Sequence, residues 1–154
     1  MLTLGLDTES LHLWFQNKRM DIFGFIEKAH ELGFDGVMIN ILKDYNLDPE
    51  WGTLMNNDPA HLKRVRDLLE SYHMYAELAT KGITKEHLLK VLDVAEALAA
   101  DIIRTYIPIT LNPLASRATG GEGKYDQAKV RGDFDPAVFD EAAMSLRQII
   151  PELK

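Results

Sequence analysis

Four times in succession a short apolar run is followed by a longer amphipathic stretch, and this alternation limits the chain to a βα repeat. The runs are Leu2–Leu6, Gly36–Ile41, Met74–Ala79 and Asp101–Ile107. All are aliphatic or β-branched enough to be covered on both faces, as the strands of parallel sheets are. The stretches between them carry helix signals. Asp21 is placed to cap a helix that turns Ile22, Phe25, Ile26, Ala29 and Leu32 inward, with Gly33 as its stop. Asp58 and Pro59 open the next, with Leu62, Val65, Leu68, Leu69 and Tyr72 inward. Thr84 caps a third, carrying Leu88, Val91, Leu92, Ala95 and Leu98. Asp135-Pro136 repeats the start signal ahead of Val138, Phe139, Ala142, Ala143, Leu146, Ile149 and Ile150. The order βαβαβαβα predicts one α/β domain over residues 1–154, with parallel strands joined by right-handed crossovers.

The 154 residues suffice for a domain with a real core but fall short of the ~250 of a complete (β/α)8 barrel. The net charge of −7, with acids and bases intermixed, argues against nucleic acid or an anionic membrane as the main partner. Cysteine is absent, which removes disulfide and thiolate chemistry. Met1–Asp7 lacks the basic and long apolar regions of a signal peptide, and no apolar run approaches ~18 residues. The expectation is a cytoplasmic protein.

Three β-to-α connections are long: Thr8–Met20, Leu42–Asn57 and Pro108 to about Asp133, the last containing Gly120-Gly121-Glu122-Gly123. The α-to-β turns are short. Ligands of parallel α/β folds bind at the carboxyl ends of the strands, where the long connections lie. Strand alternation puts Met38 and Asn40 on one side of the second run, Tyr75, Glu77 and Ala79 on one side of the third, and Ile102, Arg104 and Tyr106 on one side of the fourth. Glu77 and Arg104 therefore suit either a structural ion pair or a site in which Arg104 holds a carboxylate, phosphate or sugar oxygen and Glu77 orients it. Asp7, His12 and Trp14 leave the first strand together, a polar and aromatic set fitted to a sugar; the plain alternatives are an ordinary loop histidine and a core-capping tryptophan. His30, His61 and His87 read as solvated helix residues, and His73 as a helix-end residue. No histidine pair has metal-ligand spacing, and Gly123-Lys124 fails as a phosphate loop because Tyr125 stands where Ser or Thr is needed.

Leu4-Gly5-Leu6-Asp7, followed by Ala29-His30-Glu31-Leu32-Gly33-Phe34-Asp35-Gly36-Val37, resembles the first two units of the sugar phosphate isomerase/epimerase family, the xylose-isomerase-like TIM barrels. Ala99-Ala100-Asp101-Ile102-Ile103-Arg104 is similar to the fourth strand of that family. The resemblance runs through the whole chain and implies the first four units of a (β/α)8 barrel, a half-barrel. It implies a divalent metal (Mn, Mg, Co or Zn) for the complete family member, with ligands on the fifth to eighth strands and so no metal site in this chain. It also implies a sugar or sugar-acid substrate, contacted here by His12, Trp14, Glu77 and Arg104, and by Asp7 and Asn40. The family often has an acidic residue where Met38 stands, and Asn40 is the nearest substitute. The competing reading is a small non-catalytic α/β ligand-binding or interaction module.

The half-barrel reading carries two structural expectations. The sheet should have the order 1-2-3-4 with helices on one face, and Glu77 and Arg104 should lie within reach of each other. The exposed strand edges also call for a partner, either a second copy of the chain or a C-terminal half-barrel.

Overall fold

The computed structural model describes residues 2–41, 58–106 and 137–153. Strand β1 is Gly5–Asp7, followed by a 3-10 turn at Thr8–Leu11 and the short helix α1 at His12–Gln16. Helix α2 (Ile22–Glu31), β2 (Gly36–Asn40), α3 (Pro59–Ser71), β3 (Tyr75–Lys81), α4 (Lys85–Leu98) and β4 (Ile102–Tyr106) follow, and α5 (Ala137–Arg147) leads to a last 3-10 turn at Ile150–Glu152. The expected second and third long connections, and the Asp135-Pro136 cap, lie outside the described residues. Among the described residues no helix is long and apolar enough to cross a membrane.

All four strands are parallel in one sheet of order β1-β2-β3-β4. Alternation sends one set of side chains toward the helices. Val37, Ile39, Ile41, Ala76 and Leu78 are buried there with Ile22, Phe25, Ile26 and Ala29 of α2, Leu62, Val65 and Leu69 of α3, and Val91, Val94, Ala95 and Leu98 of α4. One core thus joins the three helices to one face of the sheet.

The units repeat in backbone chemistry. Asp21, Asp58 and Thr84 each cap their helix by accepting a hydrogen bond from the backbone N–H three residues on, in Gly24, His61 and His87. At the other end Gly33, His73 and Ala99 take up positive φ angles of 80°, 54° and 53°. The N–H of the next residue then donates back to a carbonyl in the last turn: Phe34 to Ala29, Met74 to Leu69, Ala100 to Ala95. This left-handed stop turns each helix directly into the following strand.

Three expectations are corrected. β1 starts at Gly5, because β2 begins at Gly36 and that pair is the first rung of the ladder. Leu2 and Leu4 stay exposed, and Leu4 is held instead by bonds to Asp35. The Thr8–Met20 connection is partly helical, because Asp7 caps the turn at Thr8–Leu11 and Phe15 of α1 is buried against Phe25. Leu32 is exposed, since it lies past the last turn of α2 and next to the left-handed Gly33.

Candidate functional site

The sheet face away from the helices carries three rows of side chains, set by the strand register. Gly5, Gly36 and Tyr75 form the row nearest the amino ends. Asp7, Met38, Glu77 and Ile102 form the middle row. Asn40, Ala79 and Arg104 form the row at the carboxyl ends. The face therefore grades from glycine and a ring at one end to amide, carboxylate and guanidinium at the other.

Asp7 is the hub of the polar end. Its Oδ1 accepts from the backbone N–H of Glu9 at 2.9 Å and from the Asn40 side-chain amide at 2.7 Å. The Asn40 amide and backbone N–H also donate to the Thr8 hydroxyl, each at 3.0 Å, and Thr8 is almost fully buried. The second carboxylate oxygen of Asp7 faces Arg104 Nη2 at 3.8 Å. Two strands lie between these residues, so in a flat sheet their strands would be roughly 14 Å apart. Arg104 also sits one row nearer the carboxyl end. Side chains stand roughly perpendicular to their sheet, so the contact means that the sheet curls and is concave on this face.

Of the six candidate residues, Asp7, Asn40 and Arg104 come together. Glu77 shares their face, half-buried in the middle row, but the described ion pair of Arg104 is with Asp7 and not with Glu77. The expectation that Glu77 and Arg104 share one sheet face holds, but among the described residues no ion pair joins them, and Arg104 faces Asp7. His12 Nδ1 lies 2.8 Å from the Glu9 carbonyl oxygen. A carbonyl only accepts, so Nδ1 carries a proton, and in the neutral ring Nε2 is the acceptor. Trp14 is 51 % exposed on α1, and among the described residues no hydrogen bond or ring contact ties it to the cluster.

Thr8 was not legible as a member of this cluster; its only signal in the sequence is a hydroxyl directly after the last residue of a strand. Two helix histidines are also not solvated as expected. His87 is half-buried, its Nε2 2.8 Å from the hydroxyl of the buried Thr80, and Thr105 donates to the Gly82 carbonyl at 2.6 Å beside it. The imidazole of His61 packs edge-on to Phe23, with Arg64 over the Phe23 ring, and its buried Nε2 has no hydrogen-bond partner among the described residues. Burial first, and the Arg64 charge second, hold its pKa below the ordinary histidine value. His30 is exposed and stacks on Tyr72 at 4.0 Å.

An open groove of 410 Å³ lies in the outer helical layer, lined by Pro59, Lys63, Arg66, Asp67, Glu70 and Ala97. Its charges pair along one helix face as Lys63–Asp67 and Arg66–Glu70, the arrangement of a solvated surface. The Asp7–Asn40–Arg104 cluster lies elsewhere, at the carboxyl ends of the strands.

Fold and cluster together define a parallel βα-repeat protein with a carboxylate, amide and guanidinium gathered at the carboxyl rim of its sheet. Compared with known proteins, the chain matches no family model, no curated protein and no solved structure.

Proposed function

We propose that the chain forms the first four units of a (β/α)8 barrel of the sugar isomerase and epimerase type, and that its rim binds a sugar phosphate or sugar acid. The observation that carries this reading is the Asp7–Asn40–Arg104 cluster, at the sheet edge where ligands of parallel α/β folds bind. In the proposed site the Arg104 fork takes the anionic group of the ligand. Asp7 holds Arg104 from one side and is itself fixed by Asn40 and the Glu9 N–H. His12, its ring oriented by the Glu9 carbonyl, is the residue of the set whose chemistry suits proton exchange with a substrate hydroxyl. Trp14 offers a ring face for a sugar ring. Glu77 contributes a second carboxylate from the row below.

The resemblance also implies a divalent metal. Among the described residues no three His, Asp or Glu side chains come together to hold one, so no ligand set is assigned to it. No step of the proposed chemistry is routed through a metal. A non-catalytic binding module is favoured by one specific feature: Asp7 and Asn40 already satisfy each other, as structural groups do.

Isothermal titration calorimetry with a ketose phosphate and with a sugar acid tests the binding. Arg104→Ala should weaken it by about tenfold or more, the loss of a charge-assisted hydrogen bond. No heat from either ligand at millimolar concentration sinks the reading. Exchange of the ligand's proton next to its carbonyl with solvent deuterium, followed by NMR, separates an enzyme from a binding module.

A further inference from the structure

The edges of the sheet differ from its middle. On the helix-covered face Val37, Ile39 and Leu78 of the two central strands are fully buried, whereas Leu6 of β1 and Ile103 of β4 on the same face are only partly buried. Among the described residues β1 and β4 are the two ends of the sheet. End strands keep a row of ladder groups unpaired, and natural proteins cover or blunt them.

Direction and charge say what fits there. All four strands run the same way and the sheet is concave on the face of Asp7 and Arg104. A second copy, turned by half a rotation about an axis along the strands, presents its β1 to β4 of the first copy. The same operation presents its β4 to β1. Both junctions are parallel and form together, as closed two-fold symmetry requires. The charges match as well, because one edge strand carries Asp7 and the other carries Arg104. Within one chain that pair is long, at 3.8 Å, with the two side chains 44 % and 23 % exposed. A pair this long and this exposed contributes little by itself.

We propose that two copies of this chain close an eight-stranded parallel barrel, β4 of each pairing with β1 of the other, with the Asp7–Arg104 ion pairs formed between copies. The inference rests on the barrel reading above and not on the sugar chemistry. Each rim cluster is then built from both chains.

Light scattering on the full chain at micromolar concentration should give twice the 17.4 kDa mass of one copy. A folded monomer, or open-ended larger assemblies, overturns the proposal. Asp7→Arg and Arg104→Asp each place like charges at both junctions, and each should weaken the dimer by about tenfold or more. Mixed in equal amounts, the two variants should regain it as a heterodimer, since every junction then joins opposite charges. If both variants are folded by circular dichroism and mixing restores nothing, the pair is internal and the proposal fails. Should Asp7→Arg not fold, Arg104→Lys keeps Asp7 in place and allows carbodiimide cross-linking between the two positions. A cross-link that joins two chains on a denaturing gel supports the closure, and one found only within single chains overturns it. A monomer that still binds the sugar ligands removes the dimer alone; a dimer indifferent to those ligands removes the proposed function alone.

Discussion

Gly36→Ala tests the concave face where it is tightest. Tyr75 lies across the amino-end row: a Cβ built on Gly36 would stand 2.5 Å from three atoms of the ring, and one built on Gly5 would stand 2.7 Å from its hydroxyl oxygen. The backbone at Gly36 is outside the left-handed region, so lack of room, not conformation, demands glycine there. An alanine methyl would force the ring off its seat. Overpacking of this kind costs about 1–3 kcal/mol. Replacing glycine by alanine in a regular element returns about 0.5–1 kcal/mol of backbone entropy. The net expectation is a loss of about 1–2 kcal/mol, which for a chain of this length lowers Tm by roughly 2–8 °C. Thermal and urea unfolding followed by circular dichroism measure it. The second half of the test is the same substitution in a Tyr75→Ala background. With the ring gone, Gly36→Ala should be neutral or stabilising by about 0.5 kcal/mol, giving a coupling of about 1 kcal/mol or more between the two sites. An equal cost in both backgrounds, or no cost in the first, would refute the packing argument.

Ala99 holds a left-handed conformation at the end of α4 that Gly33 takes without strain at the end of α2. Ala99→Gly should therefore stabilise the protein by about 1 kcal/mol, read as a higher urea midpoint at unchanged slope, and Gly33→Ala should cost a similar amount. His61 gives a pH dependence. Its folded pKa lies below the ordinary 6.5 because of burial and then Arg64, against the opposing pull of Asp58 and Asp21. Below pH 6.5 the unfolded chain takes up the proton first, so this contribution is present above that pH and is lost as the pH falls toward the folded value. His61→Leu should flatten the fall of Tm between neutral and mildly acid pH, and identical profiles for the two proteins would count against the burial of this ring.

The repeat and its direction were legible because they rest on local chemistry. Apolar runs mark buried strands, and Asp21, Asp58 and Thr84 cap their helices through bonds that span three residues. Gly33 stops its helix through its own backbone freedom. The open-face positions of Glu77 and Arg104 followed from alternation alone. What the sequence could not decide was which groups meet once the sheet curls. Asp7 and Arg104 are far apart in the chain and have two strands between them in the sheet, and only the curvature of the whole sheet brings their side chains to 3.8 Å. The same holds for His61 and His87, whose charged neighbours along the helix read as solvent, while burial came from Phe23 and Thr80 on other elements. Local propensity acts through neighbours in sequence, and it was decided before folding. The site depends on distances between strands, which packing sets and no stretch of sequence contains.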